Sequence, residues 1–317
     1  MTALDVVIMA AGKGTRMKSS MPKVLHPLAG KPLVQHVIDT AHALHTRHTI
    51  LITGHGAEVV EPLLQKAYPQ KALQFAKQMP QLGTGHAVQQ ALPLLDDDGV
   101  VVILSGDVPL TQADTLQALI KACDGKNLAL LTIDFEDPTG YGRIVRGFDH
   151  QVHDIIEHKD ANELQLEIKE IYSGIMAVPA KWLKKWLPQL KNDNAQKEFY
   201  LTDVVRMAVS DHVKVVAHKI TDPAQVAGIN SPLQLAELER IYQTRQAHAL
   251  LAQGVRIIDP ARIDLRGTLN CQEDVLIDIN CIFEGRVQLG VGVHIGAHCV
   301  IANCVIEDGA VILPFTH

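Results

Sequence analysis

From Gly254 to the C-terminus of this 317-residue chain, apolar or small residues return at every sixth position: Ile257, Ile263, Leu269, Val275, Cys281, Val287, Val293, Cys299, Val305 and Val311. A second apolar row lies two residues further on, at Ile277, Phe283, Leu289, Ile295, Ile301 and Leu313, and is broken by Glu307. A period of six matches neither the 3.6 of an amphipathic helix nor the simple alternation of a half-buried strand. It is the period of a parallel β-helix, whose coils cannot bury their apolar faces until the next coil stacks on them. The pattern stops at Leu313-Pro314-Phe315-Thr316-His317 without a polar cap. Since the ends of such stacks need covering, the expectation is either a longer chain or a partner subunit over that end.

Upstream of the hexads the rhythm is different. Val6-Val7-Ile8-Met9-Ala10-Ala11 is apolar on both faces, as a buried parallel strand must be. Leu33, Val37, Ile38, Ala41 and Leu44 make one helical stripe, followed by strand-like Thr49 to Thr53 and later by Val100 to Leu104. Strand, helix and strand in alternation predict an α/β, doubly wound, mostly parallel sheet, Rossmann-like in layout, with ligands outside the carboxyl ends of the strands. Gly12 and Asp107 both fall just after such runs. At Asn230-Ser231-Pro232-Leu233-Gln234, Ser231 can cap a helix, Pro232 suits its first turn and Gln234 completes a capping box, with Gly254 as the stop. The predicted organisation is a first domain over 1–231, a linker helix over 232–254 and a hexad domain over 255–317.

Charge and cysteine usage exclude several classes. The net charge of −6 leaves no basic face for a nucleic-acid backbone. The five cysteines have zinc-site spacing nowhere and are odd in number, so they read as small buried residues in a reducing compartment. The first apolar run is only six residues long, and its positive charges follow it, so it does not read as a signal peptide. No stretch reads as a membrane span, and a cytoplasmic location is expected. Of the sixteen histidines, His294 with His298, and His42, His45 and His48, read as surface or packing residues.

The chemistry concentrates in Met9-Ala10-Ala11-Gly12-Lys13-Gly14-Thr15-Arg16-Met17. Two glycines let main-chain N–H groups turn toward phosphate oxygens. Arg16 adds a planar cationic fork, and Lys23, after Pro22, a second charge. The dinucleotide fingerprint fails because Met17 stands where its third glycine would be, and the Walker loop fails because Gly14 separates Lys13 from Thr15. Asp107 ends a wholly apolar strand, where a carboxylate needs water, a partner or a cation. Asn230, in Asn-Ser-Pro, reads equally well as a plain helix start.

Gly12-x-Gly14-Thr15-Arg16-Met17 with Pro22-Lys23 resembles the signature loop of sugar-1-phosphate nucleotidyltransferases. Gln81-Leu82-Gly83-Thr84-Gly85-His86-Ala87, Gly106-Asp107-Val108-Pro109-Leu110, Asp137-Pro138-Thr139-Gly140-Tyr141-Gly142-Arg143-Ile144 and Glu157-His158-Lys159-Asp160 narrow it, together with the hexads. The whole chain resembles the bacterial family of bifunctional N-acetylglucosamine-1-phosphate uridylyltransferase/glucosamine-1-phosphate acetyltransferases, covering the first domain in full and only the opening coils of a left-handed β-helix. The resemblance implies transfer of UMP from UTP to N-acetylglucosamine 1-phosphate in a homotrimer assembled through the β-helix. It implies Mg2+ held by Asp107 and Asn230, with UTP completing the shell. It implies Arg16 and Lys23 as catalytic cations, and substrate contacts at Met9, Ala10, Ala11, Gly12, Gly14 and Lys23. Gln78, Gly83 and Thr84 resemble the uracil-reading segment, Ser105, Gly106 and Asp107 the stretch beneath ribose and metal, and Gly142 and Glu157 the sugar contacts. Family acetyl transfer uses coils beyond residue 317, so that activity is not expected here. The chain departs from the family at Tyr172-Ser173-Gly174, where Asn-Thr-Gly is usual. That departure leaves open the same reaction on another sugar 1-phosphate or nucleotide. A non-catalytic scaffold relative is the further alternative, against which Arg16, Lys23 and Asp107 all stand.

Overall fold

The computed structural model describes residues 3–70 and 73–317. The chain divides into two compact units, residues 1–25 with 33–230 and residues 26–32 with 231–317. Up to residue 230 the strands are β1 (Leu4–Met9), β2 (Pro27–Leu28), β3 (Lys31–Pro32), β4 (His48–Thr53), β5 (Leu73–Lys77), β6 (Val100–Ser105), β7 (Leu128–Asp134), β8 (Gly142–Arg146), β9 (Val152–Ile156), β10 (Glu170–Pro179) and β11 (Val215–Lys219).

The first unit is one mixed sheet in the order β11-β7-β10-β6-β1-β4-β5, with β8 on β10 and β9 on β8. Strands β6, β1, β4 and β5 run parallel, as do β7 and β11, while β10 is antiparallel to both of its neighbours. Successive residues of the central strands feed opposite cores, which is why their runs are apolar without interruption. Val7, Ile50, Ile52, Val101 and Ile103 enter one core, and Val6, Ile8, Leu51, Val102 and Leu104 the other. Helix Leu33–Ala43 packs Val34, Val37, Ile38 and Ala41 into the second core, and helix Asp203–Ser210 packs Val204, Val205 and Ala208 into the first. Both faces are therefore covered, and the carboxyl ends of β1, β4, β5 and β6 open on one edge.

In the second unit, Ser231 Oγ accepts from Gln234 N and opens the helix Pro232–Ala252. Its buried residues include Gln243, 1% exposed, whose amide bonds both the N–H and the C=O of Leu265 at 2.7 and 2.9 Å. The β2–β3 hairpin, which the sequence leaves inside the first domain, belongs to this unit, with Ala29 N donating to Glu239 Oε2 at 2.7 Å.

The hexad segment forms β12 (Arg256–Ile257), β13 (Ile263–Cys271), β14 (Leu276–Ile277), β15 (Cys281–Leu289), β16 (His294–Ile295), β17 (Val300–Ala302), β18 (Val305–Ile306) and β19 (Val311–Ile312), all paired in parallel. Ile263 pairs with Cys281 and Cys271 with Leu289, a spacing of 18 residues, or three hexads. The row from Ile257 to Cys299 is buried as expected. The final two members are not, because Gln288 pairs with Val305 and His294 with Val311, a spacing of 17. One residue is missing from the last coil near Asn303, whose backbone sits at φ 47 in the left-handed region. Val305 and Val311 consequently point outward, both 62% exposed, while Cys304, Ile306, Ala310 and Ile312 pack on the interior. The apparent break at Glu307 disappears, since Ile306 takes that place. Val311→Ser should therefore change stability by less than about 0.5 kcal/mol, whereas Val293→Ser should cost about 2 kcal/mol or more through a lost methyl and a buried hydroxyl. Urea denaturation midpoints check the pair. Among the described residues no helix is long and apolar enough to cross a membrane.

Candidate functional site

After Met9 the chain leaves the sheet, and Ala10 N still reaches the Ile52 carbonyl at 2.8 Å. Gly14 then takes φ 60, and a Cβ there would lie 2.5 Å from Lys23 Cβ. Glycine is required at that point on both counts, and it lets the Lys23 stem lie directly against the loop. A single tight turn, Thr15–Met17, buries Met17. The residue before it, Arg16, is consequently turned to solvent. Gly12 has nothing within 4 Å of its would-be Cβ and leaves the loop surface open.

Lys23 Nζ forms an ion pair with Asp107 Oδ2 and donates to Asn230 Oδ1 at 3.1 Å. Asp107 follows β6, and its carbonyl holds Ile229 N at 2.9 Å, which brings residue 230 beside residue 107. Two hard oxygens thus converge on one point occupied by a positive charge. That donor set suits a small divalent ion that keeps most of its own waters. Among the described residues no cluster of three or more His, Cys, Asp or Glu side chains could hold a metal, so any ion here would rely on one carboxylate, one amide oxygen and its ligand.

Two adjoining cavities open at this edge and share Met9, Thr84 and Ser105. One, of about 280 Å³, is lined by the sequence-predicted Met9, Ala10, Ala11, Gly12, Lys23, Gln78, Gly83, Thr84, Ser105 and Asp107. The other, of about 190 Å³, brings in Gly142 and Glu157. Gly106 lies beneath them, its N–H bonded to the Met9 carbonyl at 2.9 Å. Gly14 braces Lys23 from behind, Asn230 reaches the site through Lys23, and Arg16 lines neither cavity.

Several lining residues carry no sequence signal. The stretch 198–202 closes both cavities: Gly85 N donates to the Phe199 carbonyl at 2.7 Å, and Leu201 N to Thr84 Oγ1 at 3.0 Å. Thr202 Oγ1 donates to Glu157 Oε1 at 2.9 Å. Burial pushes the Glu157 carboxyl up, against the pull of that bond. Tyr172 lines the smaller cavity, 7% exposed, with its hydroxyl enclosed and without a hydrogen-bond partner, and burial and then the Glu157 charge hold it protonated well above its usual range. Arg143, 1% exposed, props the preceding turn by donating to the Tyr141 carbonyl, and burial lowers its pKa.

A bigger cavity, about 500 Å³, shares Glu157 but not the glycine loop. Its wall carries four carboxylates, Glu157, Asp160, Asp193 and Asp203, against two cations, Lys191 and an Arg206 tied to Asp154 at 2.6 Å. Carboxylates outnumber cations there and no glycine loop offers its N–H groups, so chemistry and not size selects the pair of smaller cavities.

The model of the MobA-like NTP transferase domain matches residues 6–256. The chain is 62% identical over 325 residues to the bifunctional protein GlmU of Paracidovorax citrulli, covering 100% of this chain and 69% of that protein. It is likewise 62% identical over 317 residues to the bifunctional protein GlmU of Methylibium petroleiphilum, covering 99% and 69%. In fold it is similar to UDP-glucose pyrophosphorylase complexed with UDP-glucose, with a TM-score of 0.62 at 16% identity over 77% of this chain and 99% of that one. The apo form of UDP-glucose pyrophosphorylase gives 0.61 at 15% identity over the same shares.

Proposed function

The chain belongs to the MobA-like NTP transferase family and, within it, to the bifunctional GlmU proteins, and from that premise we propose that it transfers UMP from UTP to N-acetylglucosamine 1-phosphate, releasing pyrophosphate. The observation that carries this reading is the convergence of Lys23, Asp107 and Asn230 beside the larger of two joined cavities, which Lys23 and Asp107 line. The larger suits a nucleoside triphosphate over the glycine loop, and the smaller a sugar phosphate between Gly142 and Glu157.

The sugar's phosphate is largely dianionic at neutral pH, with a second pKa of about 6, and needs no general base. One of its oxygens bonds to the α-phosphorus of UTP as the bond from that phosphorus to the bridging oxygen breaks, and pyrophosphate carries away the electron pair. The obstacle is mutual repulsion of two polyanions. Loop N–H groups and the Lys23 ammonium lower it and align the attack. Asp107 and Asn230 would hold Mg2+, which when bound supplies positive charge to the phosphate oxygens. We read the stacked coils as the opening of a left-handed parallel β-helix through which three copies would assemble.

The test is pyrophosphate release with Mg2+ over a panel crossing UTP, dTTP, GTP and CTP with several sugar 1-phosphates. Preference for UTP with N-acetylglucosamine 1-phosphate is the expected result, and no release from any pair would reject the reading. Uridylylated protein after incubation with UTP alone would reject the direct displacement. The Tyr172 hydroxyl is enclosed and has no partner. Such a group costs about 1–3 kcal/mol, so Tyr172→Phe should raise the melting temperature and leave the sugar-phosphate KM near that of the parent. A lowered melting temperature would show that the hydroxyl is satisfied.

A further inference from the structure

We propose that His86 is a positioning residue that sets which base the nucleotide cavity accepts, by locking the orientation of the Gln78 side-chain amide. This deepens the uridylyl-transfer reading and rests on it. Gln78 is 3% exposed and lines the larger of the two joined cavities. Its main chain is fixed by its N–H, which donates to the Thr53 carbonyl at 2.8 Å. Its side-chain Nε2 lies 2.9 Å from the Gly83 carbonyl oxygen. A carbonyl only accepts, so the amide presents its NH2 group there and not its oxygen.

The second Nε2 hydrogen faces His86 Nδ1 at 3.3 Å. Nδ1 then accepts, and the ring carries its proton on Nε2. His86 is itself held on helix Thr84–Gln89, its carbonyl accepting from Gln90 Nε2 at 3.0 Å and its ring tilted beside Phe199 at 6.3 Å between centroids. Both amide donors are thereby used, and Oε1 is the atom left for a ligand. Rotating the amide would set Oε1 against two acceptors, the Gly83 oxygen and Nδ1. The cavity therefore offers an acceptor that cannot become a donor. Uracil presents an N3–H to such an atom, whereas cytosine presents a bare N3 lone pair. A site with a fixed hydrogen-bonding sense discriminates far better than an apolar pocket does.

The experiment compares kcat/KM for UTP and CTP, with N-acetylglucosamine 1-phosphate as acceptor, in the parent protein, His86→Phe, His86→Asn and Gln78→Leu. Phenylalanine keeps a flat ring and removes the acceptor, while the asparagine oxygen can replace Nδ1. His86→Phe should reduce the UTP/CTP ratio roughly five- to tenfold, mainly through the UTP KM, and His86→Asn should restore it. An unchanged ratio in His86→Phe, with Gln78→Leu reduced, overturns the role of His86 and leaves the base-reading of Gln78 standing. An unchanged ratio in Gln78→Leu overturns that base-reading and this proposal with it. Equal loss in His86→Phe and His86→Asn also overturns it. Nitrogen NMR of the parent protein provides an arm independent of variant folding: Nδ1 should be unprotonated, and a proton on Nδ1 overturns the proposal.

Discussion

Lys23→Ala should lower turnover of UTP and N-acetylglucosamine 1-phosphate by roughly 10²–10³, the loss that follows removal of one preorganised charge donor. Two features make this residue costly to lose. Its ammonium is the positive group that Asp107 and Asn230 share, and its stem occupies the space that Gly14 leaves by lacking a Cβ. Alanine removes one of the positive charges that meet the incoming phosphates beside the Asp107 carboxylate, 17% exposed. The loss should appear in kcat as well as in kcat/KM, because the charge matters most as the two anions close on each other. Pyrophosphate release under saturating substrate reads it, and near-parental turnover would remove Lys23 from the reaction. In a double-mutant cycle with Asp107→Asn the two losses should not add, since each residue is the other's partner.

Asp107→Ala should be at least as severe, roughly 10³-fold, comparable to deleting a principal charge-bearing element in other phosphoryl-transfer sites. Its signature differs from that of Lys23→Ala. Among the described residues no further carboxylate completes a metal cluster, so removing Asp107 leaves the Asn230 amide as the protein's remaining hard oxygen at that point. The Mg2+ concentration giving half-maximal activity should therefore rise at least about tenfold, on the scale of losses from altered metal surroundings. Lys23→Ala should not produce such a rise. A parental Mg2+ titration in Asp107→Ala would show that the carboxylate holds no ion.

The sequence revealed what is local and repetitive. The apolar runs of β1 and β6 announced a sheet buried on both faces because each residue along them enters one of two cores. The glycine loop and Asp107 were visible because strand ends next to glycine or a lone carboxylate are unusual. What stayed hidden depends on contacts made far along the chain. Asn230 taken by itself reads as a helix start; the family resemblance alone named it, and the bond between Ile229 N and the Asp107 carbonyl is what brings it beside Asp107. Residues 198–202 are unremarkable in composition, yet they close both cavities. Arg16 was legible as a cation but not in its direction, which follows from burying Met17 one residue later. Gln243 looks like an ordinary polar helix residue, and its burial reflects its two bonds to Leu265. The 26–32 hairpin carries no signal of the unit it joins.

The shortened last coil works like a dropped letter in a text read in fixed-length words. Backbone pairing with β15 stops at Ala302 and resumes at Val305 one residue out of step, so every later side chain changes its reading frame. Had the chain kept the 18-residue spacing past Asn303, the interior would be Val305, Glu307, Val311 and Leu313 in place of Cys304, Ile306, Ala310 and Ile312. The two candidate linings are close in apolar content except at a single place, where the alternative would bury a carboxylate with no partner. Glu307, which seemed to interrupt the repeat, is thus the mark that lets the chain tell its two possible frames apart.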